Sequence, residues 1–278
     1  MKKYSVLILL LLASAITLAQ KKDKIKGSKI VTIEQKEIGN FETIEISDNI
    51  EVYLEKGEKS ELKIEADDNL HEIINIDLTA NTLRVNTSKT AVNYKKLIVR
   101  ITYTNELQTV ISKDEAIINA IQEIQLNAIT LKSLDDSKLF VNVNTKNFKL
   151  QSDHNSKVEL HLTSEKASVE LSKNSNLKAL ITATDFKCDM YQKTIAILEG
   201  DVTNASIRLD NNSKFTGNNL SITNAQLVAE TYSNCSINVN TSISIEASGN
   251  SEIQLYGEQK IEIKQFSDND VISKKPKK

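Results

Sequence analysis

The sequence has no tryptophan, one proline, two cysteines, three histidines and seven glycines. Each scarcity closes off a class of function. Two cysteines cannot build the disulfide framework of a small secreted scaffold. Cys188 and Cys235 lie 47 residues apart and at different phases of the pattern described below, so two separate buried thiols are expected rather than a bridge. A metal site wants three or four converging ligands. His154 and His161 fall at opposite ends of one strand, His71 lies far from both, and exposed polar roles are expected for all three. There is no Gly-x-Ser-x-Gly elbow and no glycine loop for phosphate. Aromatic residues are 5% of the chain and thinly spread, which leaves little for the stacking platforms of a sugar cleft. The net charge of −2 lacks the basic excess of a nucleic-acid binder. The expectation is a protein with no catalytic residues, metal, cofactor or nucleic acid.

What the chain does have is a repeat, from Leu131 to Ser251. Asp136, Asn155, Asn174, Lys193, Asn212, Asn234 and Asn250 each precede a small residue: Ser137, Ser156, Ser175, Thr194, Ser213, Cys235 and Ser251. The steps between the small residues are 19, 19, 19, 19, 22 and 16. After the pairs come alternating apolar sets: Leu139-Val141-Val143, Val158-Leu160-Leu162, Leu177-Ala179-Ile181, Ile195-Ile197, Phe215, Ile237-Val239 and Ile253-Leu255. Before them stands a second apolar column: Leu131, Leu150, Leu171, Met190, Leu209, Ala229 and Ala247. A period near 20 is too short for a helix-pair repeat and fits one coil of a β-solenoid. Alternation of period two turns one set of side chains inward and the other to solvent. Asparagine suits the turn because it tolerates left-handed backbone angles and bonds its own backbone. Stacked in successive coils, Asp136, Asn155, Asn174, Asn212, Asn234 and Asn250 are expected to form a structural turn ladder. The fold expected is all-β, a parallel β-helix-like solenoid with about 19–20 residues per coil. A β-sandwich of short strands is the alternative.

Ahead of the repeat, residues 1–19 read as a secretory signal peptide. Lys2 and Lys3 form a basic start, Val6 to Ile16 an apolar core, and Thr17-Leu18-Ala19 a cleavage site. That core is shorter than the roughly 20 residues of a membrane span, and nothing later in the chain resembles one. Removing it takes away two lysines and no acid, so the mature chain is more acidic still. Residues 20–35 are a Lys-rich lead-in expected to be flexible. Residues 36–104 read as a β-meander, with a short helical turn over Leu70–Ile74 after the cluster Asp67-Asp68-Asn69. Residues 105–265 carry the repeat, and 266–278 form a basic tail expected to be disordered. The destination is the periplasm or cell surface of a Gram-negative bacterium, the former favoured by the absence of a recognisable C-terminal sorting domain.

The run from Phe41 to Gly57, FETIEISDNIEVYLEKG, resembles the opening of the family called putative auto-transporter adhesin, head GIN domain, a domain of unknown function common in Bacteroidetes. The resemblance continues through Leu62–Leu70 and Leu83-Arg84-Val85 and covers roughly residues 38–264. Where members carry glycine this chain has Asn49, which can take the left-handed turn. The resemblance implies a right-handed solenoid of adhesin type, with no catalytic residues to carry over and an envelope protein or glycan as partner.

Two patterns remain as candidates for chemistry. Asp135 and Asp136 with Asp153 would fall at neighbouring turns, about the 5 to 10 Å that a glycosidase carboxyl pair requires. A polysaccharide-active enzyme is therefore the alternative function, and a periplasmic regulatory partner a further one; turn formation is the plainer role of these aspartates. Lys138, Lys157 and Lys214, interrupted by Asn176 and Ile195, would make an outward basic stripe, with a solvated sheet face as the plainer reading.

Overall fold

The structure, a computed structural model, describes residues 22–276. The expected signal peptide and its cleavage after Ala19 lie outside the described residues. The chain winds into a β-solenoid of about nine turns, not a sandwich. Seven long strands define its body: Ile117–Ser133, Lys138–Ser152, Lys157–Leu171, Asn176–Met190, Ile195–Leu209, Lys214–Ala229 and Asn234–Ala247. Each pairs in parallel with the next, so Leu139, Val158, Leu177, Ala196, Phe215 and Cys235 stand in one column. Lys138–Ser152, Lys157–Leu171 and Asn176–Met190 each alternate buried and outward residues, break step once where two exposed residues follow each other, then alternate again. In Lys138–Ser152 the break is Lys146-Asn147. Every coil is thus two half-strands joined by a bend on one side and a tight turn on the other. Between them run columns of Leu, Ile, Val and Phe, each contributing about 1.5–3 kcal/mol on burial.

The turns hold the left-handed residues. Two in succession have positive φ at His154-Asn155, Lys173-Asn174, Gln192-Lys193, Asn211-Asn212 and Thr231-Tyr232. Backbone bonds link them coil to coil: the N–H of Asn155 donates to the Lys173 carbonyl at 3.0 Å, that of Asn174 to Gln192 at 3.0 Å, and that of Asn212 to Thr231 at 2.9 Å. The small residue after each turn points inward. Ser137, Ser156, Ser175, Thr194, Ser213, Ser233 and Ser251 are all buried, and their hydroxyls bond to one another, to the strand-end hydroxyls of Ser133 and Ser152, or to backbone carbonyls at strand ends and turns.

Several expectations are corrected. The sixth turn is Thr231-Tyr232 followed by Ser233, and Asn234 is the first strand residue, paired with Lys214. The preceding strand has 16 residues and the next 14; the ladder shifts at Gly217/Ser221, so extra residues are absorbed before the turn and the Asn-Cys pair mimics the motif two places late. Ile195 and Ile197 face solvent, while Ala196 and Leu198 fill the core. Pairing of Ala196 with Leu177 and Phe215 fixes that phase, and a one-residue slip would turn the whole strand over. The column before the turns mixes two phases: Leu150 pairs with Val169, whereas Leu171 pairs with Ser152. The left-handed residue near Asn49 is Asp48, at φ 71°.

The meander region is more than hairpins. Thr43–Ile46 and Glu51–Lys56 pair in parallel with Thr109–Ser112 and Ile117–Asn119 on one side, and with Thr82–Val85 and Leu97–Tyr103 on the other. Ile74–Thr79, Glu61–Asp67 and Val31–Glu37 then add antiparallel strands that close this end. The stretch expected as a flexible lead-in contains Lys24–Lys26 and Val31–Glu37, and the expected disordered tail contains Val271–Lys274. Backbone pairing with Thr90–Val92, Glu61–Asp67 and Glu252–Leu255 holds them, with Ile25 and Ile272 packed against the core. The helical turn is the 3-10 segment Asp68–Ile73. Asp67 precedes it without capping it. Instead its fully buried carboxylate accepts from the backbone N–H groups of Lys29, Lys95 and Lys96 at 2.8 to 3.1 Å.

Candidate functional site

At the bends, the first residue of each second half-strand stacks on its counterpart: Asn147, Lys166, Asp185, Asn204, Asn224 and Ser242. Four of them form a hydrogen-bonded side-chain chain. The Asn204 amide donates to Asp185 Oδ1 at 3.0 Å, the Asn224 amide to Asn204 Oδ1 at 3.4 Å, and the Ser242 hydroxyl to Asn224 Oδ1 at 2.9 Å. The next residue inward varies in size, Phe148, Ala167, Phe186, Ala205, Ala225 and Ile243, and is buried throughout. The residue after that is short or polar: Ser168, Lys187, Ser206, Gln226 and Ser244. Together these three rows line a trough of about 1050 Å³ along the outside of the solenoid, reaching from Asn147 to Lys260 and Glu262. Each coil adds a polar side chain to the outer row about 4.8 Å from the last. Lys166, Lys187, Lys260 and Lys264 against Asp185 and Glu262 make it weakly basic, although Lys187 is paired with Asp189 at 2.7 Å, which raises its pKa.

A smaller depression of about 530 Å³ lies on the outward face of the first half-strands. It holds the exposed Leu180 and Ile197 beside His161, Glu159, Lys178 and Glu199.

The residues singled out in the sequence are dispersed. Of the expected turn ladder, Asn155, Asn174 and Asn212 occupy left-handed turn positions and are joined through backbone rather than side-chain bonds. Asn250, at φ 66°, accepts from the Asn269 amide at 3.0 Å, a side-chain rung between equivalent turns. Asp136 follows the left-handed Asp135, and Asn234 lies in a strand. The candidate carboxylates are engaged elsewhere. Asp135 meets His154 Nδ1 at 3.2 Å. Asp153 accepts from the Ser172 hydroxyl and from Lys173 Nζ, each at 2.9 Å. Burial pushes the Asp153 pKa up, but the bonds from Lys173 and Ser172 outweigh it and hold the carboxyl below its usual range, the opposite of a general acid's requirement. His71 sits against Thr32 and Glu34. Among the described residues, no three His, Cys, Asp or Glu side chains cluster to hold a metal. Both cysteines are free and buried, and burial pushes both thiols far up, so they are not nucleophiles. Lys138, Lys157, Asn176, Ile195 and Lys214 do stack in one row, with the interruptions expected.

The sequence reading missed the bend ladder. Its signal is the spacing 185, 204, 224, 242, which follows the coil period but lacks a shared residue type.

The outside of the solenoid thus carries a polar ladder and a trough that run along several coils. The sequence profile of the family described as "Putative auto-transporter adhesin, head GIN domain" matches residues 40–179 and 157–258, and the chain belongs to that family. Its fold is that of a crystal structure of a putative adhesin from Parabacteroides merdae, with TM-score 0.63 and 17% identity over 91% of this chain and 99% of that one. A putative adhesin from Parabacteroides distasonis is similar to the same degree, with TM-score 0.63 and 16% identity over 90% and 99% of the two chains. A crystal structure from Parabacteroides distasonis described as a putative lipid binding protein gives TM-score 0.58 and 13% identity over 91% and 99%. No curated protein matches the chain. Among the described residues, no helix is long and apolar enough to cross a membrane.

Proposed function

We propose that this adhesin-family protein is an exported, non-catalytic scaffold that holds an extended glycan along the trough. The observation that carries the reading is the bend ladder Asp185–Asn204–Asn224–Ser242 beside a floor of small and apolar residues. Amides and hydroxyls repeated at the coil spacing of about 4.8 Å match a linear polymer whose hydroxyls recur at a similar step. The trough spends no carboxyl pair on bond cleavage. The turn residues Asp136, Asn155, Asn174, Asn212 and Asn250 serve the backbone, and the ligand meets the opposite side of the coil. The basic start and apolar core of residues 1–19 support export.

The test is affinity electrophoresis of the purified protein through gels containing neutral and acidic linear polysaccharides. Retardation by at least one polymer is expected, with affinity reduced about thirtyfold in the double variant Asn204→Ala/Asn224→Ala, since two lost hydrogen bonds at about 1 kcal/mol each sum to about 2 kcal/mol. The turn variant Asn155→Gly should bind as the parent does. Retardation unchanged in the double variant would move the site elsewhere, and release of reducing ends that stops on Asp153→Ala would make the protein an enzyme. Protease shaving of intact cells tests the location: clipping places the protein on the surface, protection until the outer membrane is opened places it in the periplasm. The apolar floor and the lipid-binding description of one structural neighbour favour a second reading, an acyl chain in the same trough. Displacement of a fluorescent fatty acid, unaffected by polysaccharide, would select it.

A further inference from the structure

The two ends of the solenoid differ. At the amino-terminal end, antiparallel strands and the 3-10 segment fold over the stack and bury Phe41, Leu70 and Ile73. At the other end, Lys260–Phe266 pairs only with Ser242–Ala247, and Val271–Lys274 only with Glu252–Leu255. Among the described residues nothing pairs with their outer edges. Ile261, Ile263, Phe266 and Val271 are 46 to 53% exposed there, and every residue of Lys260–Phe266 is exposed. Ile261 and Ile263 continue the inward columns of Ile243 and Ile245; they are core residues without a coil above them.

We infer that this end is an interface for a second copy of the chain, joined tail to tail about a two-fold axis through Ile263. A free strand edge offers its backbone groups to another strand, and the charges on this one select its own copy. Charges of one sign along an edge would repel a second copy. Here Lys260, Glu262 and Lys264 alternate in sign along the outward face. Antiparallel self-pairing centred on Ile263 runs over Glu262–Lys264, because the register shift between Ile263 and Gln265 breaks the alternation of the strand beyond it. It sets Ile263 against Ile263 and Glu262 against Lys264, twice by symmetry. Opposite charges facing each other across strands stabilise the pair, and like charges oppose it. The same rotation reverses Val271–Lys274 and brings it against its counterpart, so one operator closes both edges. Head-to-tail growth is blocked because the other end is capped. Lys260, Ile261, Glu262 and Lys264 also line the end of the trough, so the dimer would set two troughs end to end.

The test is sedimentation equilibrium of the purified protein and of three charge variants whose folding is checked by circular dichroism. The parent is expected to be a monomer–dimer system. Glu262→Lys sets lysine against lysine and Lys264→Glu sets glutamate against glutamate, so each should weaken the dimer about tenfold or more, as expected of like charges brought face to face. The double variant Glu262→Lys/Lys264→Glu restores the complement and should return to within about threefold of the parent. In a separate protein, Ile263→Cys should give a covalent dimer on mild oxidation, because facing residues of an antiparallel pair lie about 4.5–5.5 Å apart at Cα; the native thiols are buried and should give none. A parent that stays monomeric at all concentrations overturns the inference. So does a dimer indifferent to the single variants, or one the double variant fails to restore.

Discussion

At the scale of single residues, the most consequential side chain is one that touches no ligand. Asp67 is fully buried where the lead-in, the 3-10 segment and the loop after Thr90–Val92 converge. Burial alone would raise its pKa, but the N–H groups of Lys29, Lys95 and Lys96 and the charge of Lys29 hold it below the ordinary carboxylate value. A depressed folded pKa means stability that is present above the unfolded value and lost as pH falls through the folded one. Asp67→Asn should therefore cost about 3 kcal/mol near neutral pH, the range for bonds to a charged group. The gap between variant and parent should shrink as the pH drops below that of a free carboxylate. Urea midpoints across the acid range check this, and a gap that widens in acid would refute the role. Gly200 shows the same dependence on surroundings. At φ 112° it lies against its stacked neighbour, and a Cβ there would meet the Ile181 carbonyl oxygen at 2.2 Å. Nothing in the residues flanking Gly200 announces that constraint, which arises from the coil before it.

At the scale of elements, the unit is a coil of two half-strands, a bend and a turn. The turn was legible because asparagine and aspartate favour left-handed angles, and the columns around it follow from period-two alternation. The bend was not legible. Two exposed residues in succession there vary from Lys146-Asn147 to Glu165-Lys166, and only stacking reveals that Asp185, Asn204, Asn224 and Ser242 form one chain. The sixth turn carries Thr231 at φ 47° and Tyr232 at φ 59°, residue types poorly suited to that conformation. Thr231→Asn should stabilise the protein by about 1 kcal/mol, because a β-branched residue held in the left-handed region costs that much or more. Chemical denaturation measures the gain. An unchanged or lower midpoint would mean the threonine has a compensating contact.

At the scale of the whole molecule, stability in a solenoid is close to a sum over coils and the interfaces between them. A central coil such as Asn176–Met190 is covered on both sides, whereas Lys260–Phe266 is covered on one. Amide exchange in dilute solution should be slowest from Lys157 to Ala229 and fastest at Lys260–Phe266 and Val271–Lys274. Protection of the last two segments should rise with protein concentration as their free edges pair. Uniform exchange along the stack would argue for all-or-none opening instead.

The sequence by itself determined the repeat, its period, the all-β character, and most of the turns and of the inward columns after them. Period-two alternation and left-handed turn residues are local properties, readable wherever they recur. It also pointed to Cys188 and Cys235 as two buried thiols rather than a bridge, as they are. Only the tertiary structure decided the phase of Ile195–Leu198, the true sixth turn, the rung made by Asn204 and Asn224, and the pairing of the lead-in with Glu61–Asp67. Each of these depends on which residue of one coil lies over which residue of the next. That register is fixed by bulges and by burial across the whole stack, and no single coil contains it.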